Sequence, residues 1–462
     1  MAGSLDTSIR CPDSFAQFPA MKTRNLSLLT AAGILAGLCA PLQAQDWTHW
    51  RGPTFNGSST AKDLPVTFSK TENIKWTAKM PGPSAATPII LGDRIFVSST
   101  DKATKTVVAL CLDRKTGKEL WKQEVGLGFN RDNNSNYASP SPTTDGERVY
   151  FFYGNGDLAA FTLDGQKVWQ RNLEKDYGQF AMQWTFSSSP TVHKGILYHQ
   201  ILQRNVPVNG RGKTDGPIDS FLLGLDPKTG KEIFKVVRPS EAKQESLEAF
   251  STPIPFTHAG REEILISGGD MLSGHDPKSG KELWRWGTWN PSRIGHWRLV
   301  PSPVAAEGVV LGCGPKGAPV FAIKLGGKGD LGPAGILWNS ESNREITSDV
   351  PTPLYYQGLF YVLNGGKKSL SAVDPKTGTA VWTGQFDSRQ VFENSPTGAD
   401  GRIYSMNHRG DVYVAAAGKD GFKLLHKAEM GDDEDRALRS SIVPSGGNLF
   451  IRTGGTLYCV GK

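Results

Sequence analysis

The sequence predicts an all-β fold, an eight-bladed β-propeller of four-stranded antiparallel blades. Three observations predict it: a turn-rich composition, a repeated turn motif, and two incomplete repeats that complement each other. The 462 residues include 53 Gly and 29 Pro spread along the chain, which favours many turns and short strands. With 38% hydrophobic and 21% charged residues, the chain can bury a large core and is not disordered.

The repeat is marked by a turn motif, Asp-Pro-Lys-Thr-Gly-Lys-x-x-Trp. Its clearest copies span residues 113–121, 276–284 and 374–382, while 226–234 ends in Phe and 163–169 is shortened. Each unit opens on a proline, and Pro is tolerated where a strand begins. The opening prolines are Pro88, Pro142, Pro190, Pro253, Pro303, Pro353, Pro396 and Pro444. Each unit holds four strand-length segments, and such a unit repeated radially is a propeller blade.

The two ends of the chain each carry part of a blade. Residues 448–452 and 456–460 form strand patterns after Pro444, but no fourth strand follows them. Residues 73–77 form a fourth strand that lacks its first three. Pairing the N- and C-terminal strands in one blade closes the ring at eight blades and protects the exposed edges. Regularly spaced outer-strand tryptophans are then expected to dock neighbouring blades: Trp76, Trp121, Trp169, Trp284, Trp338 and Trp382.

The chain divides into four segments in this interpretation. They are an overextended start at 1–20, a signal peptide at 21–44, an N-terminal segment packing on the propeller at 45–72, and the propeller at 73–462.

The signal peptide rests on a basic start at Met21 and an apolar run, Leu26–Cys39, that is too short to span a bilayer. We therefore expect a periplasmic or extracellular protein without a transmembrane segment in its mature chain. Lipid attachment at Cys39 is disfavoured because Leu38 occupies a position that requires a small residue.

Charge and cysteine content narrow the function further. The formal net charge of +7 falls to +6 once residues 1–44 are removed, and the lysines lie in separate turns. This distribution indicates a solvated surface rather than a nucleic-acid footprint, and we expect a monomer. The mature chain keeps Cys111, Cys313 and Cys459, an odd number that predicts buried free thiols instead of a disulfide framework.

One face of the propeller is predicted to carry function. Long loops between successive blades lie on that face, whereas the opposite face has short Asp-Gly and Thr-Gly turns. Aromatic rings would stack on a polar ligand, and amide, guanidinium and carboxylate groups would orient it. The candidate ligand-binding residues are Asn134, Tyr137, Trp184, Glu248, His296, Trp297, Arg298, Glu393, Asn394, Arg436 and Arg439. The alternative is that these polar groups line the channel and form hydrogen bonds only with water and with each other.

Within this set, Trp184 and Trp297 depart from the docking pattern and could also cap the core. His296 suits a base or metal ligand, although a hydrogen-bonded neighbour is the simpler interpretation. The insertion 203–217 could be a lid or a surface excursion. No catalytic residues and no metal site are predicted, since the sequence lacks Gly-x-Ser-x-Gly, phosphate-loop, His-Glu-x-x-His and zinc-ligand spacings.

At its repeated turns the sequence resembles the pyrroloquinoline-quinone (PQQ)-like propeller superfamily over residues 73–462. That superfamily includes quinoprotein alcohol dehydrogenases and the propeller lipoprotein of the outer-membrane barrel-assembly machine, so the resemblance predicts the fold more strongly than an activity. The dehydrogenases typically carry a vicinal cysteine pair beside the quinone. This chain has no adjacent cysteines and no Cys-x-x-Cys-His haem site.

We therefore expect a non-catalytic binding or scaffold protein that holds an envelope protein, a polar small molecule or a carbohydrate at the inter-blade loop face. One alternative is a dehydrogenase of alcohols or sugars using PQQ with calcium, the quinone stacking on Trp297 or Trp184. A second alternative is a carbohydrate-binding or polysaccharide-processing propeller using the same aromatic residues.

Overall fold

Short strands joined by tight turns form eight sheets in the computed structural model, each built on four antiparallel strands, and one sheet carries a fifth, parallel strand. The model describes residues 46–130, 135–287, 289–432 and 435–462. The predictions for the start, the signal peptide and Cys39 therefore lie outside the described residues. The predicted eight-bladed all-β propeller is confirmed.

The blades follow the order of the chain, and the strands of each run outward from the central channel. Blades 1 and 2 contain Ile89–Leu91, Arg94–Asp101, Thr106–Asp113, Glu119–Leu127, then Thr143–Thr144, Arg148–Phe152, Asp157–Thr162, Lys167–Asn172. Blades 3 and 4 contain Thr191–His193, Ile196–Ile201, Phe221–Leu225, Glu232–Val237, then Ile254–His258, Arg261–Gly268, Met271–His275, Glu282–Trp286.

The second half of the ring repeats the pattern. Blades 5 and 6 contain Val304–Ala306, Val309–Cys313, Val320–Lys324, Ile336–Asn339, then Leu354–Tyr356, Leu359–Asn364, Ser369–Val373, Ala380–Gln385. Blades 7 and 8 contain Thr397–Ala399, Arg402–Met406, Asp411–Ala416, Leu424–Glu429, then Val443–Ser445, Asn448–Arg452, Thr456–Gly461, Ile74–Lys79. The remaining described elements are the helix Leu173–Tyr177, the 3₁₀ turns Gln244–Leu247 and Pro333–Gly335, and the strand Gly329–Asp330 beside blade 4.

Blade 8 closes the ring as the sequence predicts. Its outer strand, Ile74–Lys79, pairs antiparallel with Thr456–Gly461, and Trp76 lies opposite Cys459. The register of the last proline differs from the prediction, because Pro444 lies inside the strand Val443–Ser445. Ile442 precedes that strand, where the other blades have their opening proline.

The outer strands are joined by aromatic docking. Trp76, Trp121, Trp169, Trp338 and Trp382 form what we call the tryptophan ring. Each donates its indole N–H to a backbone carbonyl in the turn between the third and fourth strands of the next blade, at 2.8–3.0 Å. Trp284 differs, because it donates to the Glu263 carboxylate of its own blade at 2.5 Å. Trp286 and Trp289 fill the adjoining interface, and Trp286 packs on Phe321 of blade 5.

The repeated turn explains why this docking is possible. Asp113 accepts hydrogen bonds from the backbone N–H groups of Lys115 and Thr116, at 3.1 and 2.8 Å, and these bonds contribute to lowering the pKa of Asp113. Gly117 then adopts a φ of +71°, and a Cβ at that position would lie 2.4 Å from the Trp76 ring. Glycine is needed for both the backbone conformation and the close approach of the indole.

The innermost strands are joined by a second ring, the hydroxyl belt. Its members occupy equivalent positions two residues before each first strand: Thr87, Ser141, Ser189, Thr252, Ser302, Thr352, Ser395 and Ser441. At seven junctions the backbone N–H of one member donates to the hydroxyl oxygen of the next, at 2.8–3.1 Å. At the junction between blades 7 and 8, the Ser441 hydroxyl forms no hydrogen bond with the described residues.

Residues 46–64, which we call the floor segment, cross the channel. Trp47 pairs with Ile90 of blade 1, and the Thr48 carbonyl accepts from Thr144 of blade 2. Arg51 donates to the Pro353 carbonyl of blade 6 at 3.0 Å, and Ser59 donates to the Gly398 carbonyl of blade 7 at 2.8 Å. Blades 2 and 6 are opposite members of an eight-membered ring, so the segment must span the channel.

The three described cysteines are free and buried, as predicted. Burial raises the pKa of Cys111, Cys313 and Cys459 to about 12. Thiols of this kind remain protonated at neutral pH and are poor nucleophiles.

Candidate functional site

The channel contains a cavity of about 330 Å³ that lies between the inter-blade loops and the floor segment. Trp50 lines it, and Trp50 is the residue between the contacts that the floor segment makes with blades 2 and 6. The volume lies near the lower end of the range for small-molecule sites. The floor segment thus turns a through-channel into a pocket entered from the inter-blade loop face.

Two tiers of side chains form the cavity wall, because residues two apart in an extended chain point to the same side. The inner tier is the hydroxyl belt, of which Ser141, Ser189, Thr252, Thr352 and Ser395 line the cavity. The outer tier, two residues earlier in each blade, we call the mouth tier. Its members are Ala85, Ser139, Ser187, Phe250, Val300, Val350, Glu393 and Arg439.

The mouth tier is uneven around the ring. Phe250, Val300 and Val350 form an apolar arc on one side. Glu393 and Arg439 are the only charged members of the mouth tier, and they lie on adjacent blades. The remaining members are alanine or serine and leave room for a ligand. A ligand in this pocket would therefore meet an apolar wall on one side and an ion pair on the other.

One aromatic platform stands above the mouth tier. The Trp184 indole N–H donates to Glu245 Oε1 at 3.0 Å, and Arg298 Nη1 lies 3.2 Å from the same oxygen. The Arg298 guanidinium carbon is 6.0 Å from the Trp184 ring centroid, a cation–π distance. Glu245, on the 3₁₀ turn, thereby fixes both side chains at the rim of the cavity.

An ion pair bridges blades 7 and 8 on the other side. Arg439 Nε donates to Glu393 Oε2 at 2.6 Å, and His408 Nε2 lies 2.9 Å from that oxygen. Burial alone would raise the pKa of Glu393, but the neighbouring His408 imidazole and the Arg439 charge together lower it to about 2. The carboxylate is therefore ionised at neutral pH. This ion pair occupies the junction at which the hydroxyl belt lacks a bond.

Glu248 supports the platform from behind instead of lining the cavity. Its side chain is fully buried, pairs with Arg204 at 2.6 Å and accepts the Gln183 backbone N–H at 3.1 Å. Burial raises the pKa of Glu248. Arg204 belongs to the insertion 203–217, none of whose residues lines the cavity, so the insertion packs beside the site and does not cover it.

The structure brings four of the eleven predicted residues together at the cavity, Trp184, Arg298, Glu393 and Arg439. Tyr137 packs on Gly128 and Gly154 between blades 1 and 2. His296 and Arg436 are exposed, and Trp297 is half-buried outside the cavity.

Asn394 is fully buried, points away from the channel by its register, and forms no side-chain hydrogen bond with the described residues. Asn134 lies outside the described residues.

Sequence reasoning missed three parts of the site, namely Trp50, Glu245 and the hydroxyl belt. The belt had a visible signal, the Ser or Thr that directly precedes seven of the eight repeat-opening prolines. Trp50 and Glu245 lie outside the repeat, in the floor segment and an irregular loop, so no periodicity marked them.

A second cavity of about 580 Å³ adjoins the first on the same face. It shares Val350 and Glu393 with the channel and extends outward between blades 5 and 6 past Lys316, Arg344 and Lys367.

The family model described as outer membrane protein assembly factor BamB (PQQ_2) matches residues 58–209 and 331–460. A polyvinylalcohol dehydrogenase of Pseudomonas sp. is 25% identical over 240 residues, which cover 49% of this chain and 32% of that protein. The chain thus spans about a third of the length of this relative.

Two solved structures share the fold. Quinohemoprotein alcohol dehydrogenase from Comamonas testosteroni superposes with a TM-score of 0.63 at 13% identity, covering 90% of this chain and 81% of that one. BamB from Moraxella catarrhalis superposes with a TM-score of 0.58 at 11% identity, covering 84% and 97%. At such identities the likeness shows the fold alone.

Proposed function

The chain belongs to the PQQ_2 family, and from that premise we propose that it is an exported, non-catalytic binding propeller that holds a small polar ligand in its channel. The ligand enters from the inter-blade loop face, either free or as part of an envelope protein. In the part of the chain that the structure describes, no helix is long and apolar enough to cross a membrane.

The observation that carries the proposal is that the floor segment closes one end of the channel. The floor segment ends the cavity at Trp50, and the mouth presents the Trp184 platform opposite the Glu393–Arg439 pair. A concave site with few polar groups on a rigid scaffold is the usual geometry for ligand binding. Eight blades position these groups without needing order in the loops themselves.

Non-catalytic binding is favoured by how the charged groups are used. Glu245 is paired with Arg298, and Glu393 with Arg439. A carboxylate whose pKa is about 2 is a weak base at neutral pH, so Glu393 suits orientation of a ligand better than proton transfer.

A PQQ-dependent dehydrogenase is the second candidate, favoured by the dehydrogenase relatives. The Trp184 face could receive a planar quinone. However, the described residues include no group of three or more His, Cys, Asp or Glu side chains able to hold the accompanying calcium ion. Calcium also accepts amide and backbone carbonyl oxygens, and this candidate stays second to the binding role because no such side-chain group in the described ranges supports it; we derive no redox step.

The proposal is tested by saturation-transfer NMR on the protein from Gln45, using a panel of monosaccharides, amino acids and PQQ. We expect at least one member to bind the wild type, to lose binding in Trp184→Ala, and to retain it in Lys228→Ala, a control on the opposite face. Binding that survives Trp184→Ala would contradict the channel site. Dye reduction with an alcohol panel, PQQ and calcium, lost in Trp184→Ala, would instead establish the second candidate.

A further inference from the structure

We infer that the channel selects a ligand bearing a carboxylate or another oxyanion, whose oxygen atoms meet the hydroxyl belt above Arg51. This inference rests on the proposed function, because it names the chemical class of the ligand held in the same channel. Two independent features carry it: the unused protons of the belt hydroxyls and a buried guanidinium without a counterion.

The belt hydroxyls act towards the protein as hydrogen-bond acceptors and not as donors. At seven junctions the hydroxyl oxygen accepts a backbone N–H from the preceding blade. Within the described ranges, none of the eight hydroxyls donates its own proton to a protein acceptor. A hydroxyl group has one proton and two lone pairs, so each of these oxygens keeps a donor to offer.

Most of these donors lie in the wall of the cavity. Five of the eight belt residues line it, and every belt residue is at most 5% exposed. Accepting an N–H polarises a hydroxyl and strengthens the hydrogen bond that it can donate. A narrow pocket whose wall carries five O–H donors matches a group rich in acceptors, such as a carboxylate.

The charge beneath the belt has the matching sign. Arg51 is 1% exposed, and its Nη2 donates to the carbonyl of Pro353, the neighbour of belt residue Thr352. Among the described residues its Nε and Nη1 have no hydrogen-bond partner, and no carboxylate acts on its pKa. Arg51 does not line the cavity itself but lies behind Trp50, which does. Burial lowers the pKa of Arg51 to about 9, so the group stays cationic at neutral pH.

Other charges near the cavity are balanced. Arg298 is paired with Glu245, and Arg439 with Glu393, at 3.2 and 2.6 Å. Arg51, whose guanidinium carbon is 5.8 Å from the ring centroid of cavity-lining Trp50, is thus the uncompensated charge closest to the floor. A buried unpaired cation is stabilised by a nearby anion, since the local dielectric screens it weakly.

The test compares 4-fluorobenzoate with its neutral analogue 4-fluorobenzamide by ¹⁹F line broadening on the wild-type protein. We expect the carboxylate to bind about tenfold more tightly, because charge-assisted hydrogen bonds are roughly twice as strong as neutral ones. Arg51→Met should abolish that preference and Ser189→Ala should reduce it. The control Arg94→Met, an exposed arginine paired with Asp164 on the other face, should leave the preference unchanged.

The outcomes separate the two proposals. Equal binding of the two probes to the wild type would overturn the oxyanion inference and leave the channel site standing. Binding of neither probe at millimolar concentration would also overturn the oxyanion inference, while the channel site would still be judged by the ligand panel and Trp184→Ala. The wild-type comparison does not depend on whether the Arg51 variant folds.

Discussion

The tryptophan ring and the hydroxyl belt join the same blades at different radii. They differ in whether hydrogen-bond donors remain unused after the blades have docked. In the outer ring each indole N–H is satisfied by the next blade, as Trp338 is by the Pro375 carbonyl at 2.8 Å. In the inner belt seven of the eight hydroxyls accept one bond from a neighbouring blade and keep their own proton. The outer ring is therefore a closed interface, whereas the belt both joins blades and presents donors to the channel. Blade docking and the proposed binding site thus lie at different radii of one repeat.

The largest effect is expected from breaking the outer ring. Trp338→Ala should lower the free energy of unfolding by about 3–5 kcal/mol, the usual loss for a buried aromatic residue truncated to Ala. Urea unfolding followed by circular dichroism measures the change. Trp338→Phe is the matched control and should lose much less, because blade 3 already uses Phe234 at this position. A loss below about 1 kcal/mol for Trp338→Ala would contradict the docking role.

Breaking the belt should cost less. Thr352→Val keeps the shape of the side chain but removes the acceptor of the Ser302 N–H, leaving a buried donor unpaired. We expect a loss of about 1–3 kcal/mol in the same assay. Thr352→Ser retains the hydroxyl and should remain close to the wild type. If Val and Ser variants were equally stable, the belt bond would have no energetic role at that junction.

Acid should act on the one junction where the belt bond is replaced by an ion pair. The folded pKa of Glu393, about 2, lies below its ordinary value of 4.5. A lowered acid pKa stabilises the folded state above the ordinary value, and this stabilisation is lost as pH falls from 4.5 toward 2. Stability of the wild type relative to Glu393→Gln should therefore decrease across that window. Parallel pH profiles for the two proteins would show that the pair does not contribute.

The smallest effect is expected from thiol labelling. Cys111 and Cys459 lie opposite Trp121 and Trp76 in the strand registers, so they sit beneath the tryptophan ring. With pKa values near 12 they should resist iodoacetamide at neutral pH in the native protein and react after unfolding. Mass spectrometry of the labelled protein measures this. Rapid native labelling of either residue would indicate that the outer ring opens readily.

The repeat made the fold predictable, because blade number, ring closure and tryptophan docking all follow from its period. Trp284 was the exception, since its partner Glu263 lies in its own blade and outside the motif. At the site, Trp184, Arg298, Glu393 and Arg439 were predictable from loop position alone. Whether a loop residue such as His296 or Tyr137 turns inward depends on local backbone geometry that residue type does not encode.

The hydroxyl belt shows a different limit of sequence reasoning. Its Ser and Thr residues are visible beside most of the opening prolines, yet their hydrogen-bond partners lie in the next blade, 48 residues away for Ser141 and 354 residues away for Ser441. Glu245 is similar, because its role depends on Trp184 and Arg298 meeting it from two other loops. Roles that depend on contacts between residues distant in the sequence become visible only in the folded structure.

Ring closure by Ile74–Lys79 has a consequence for the order of assembly. During synthesis, this strand and the floor segment emerge before any of the blades that they contact, and Thr456–Gly461 emerges nearly four hundred residues later. Until that partner arrives, the early strand has an unpaired edge, and the floor segment can meet blades 6 and 7 only after they have formed. The channel pocket is thus completed only when the ring closes, so the proposed binding would report that the chain has finished folding.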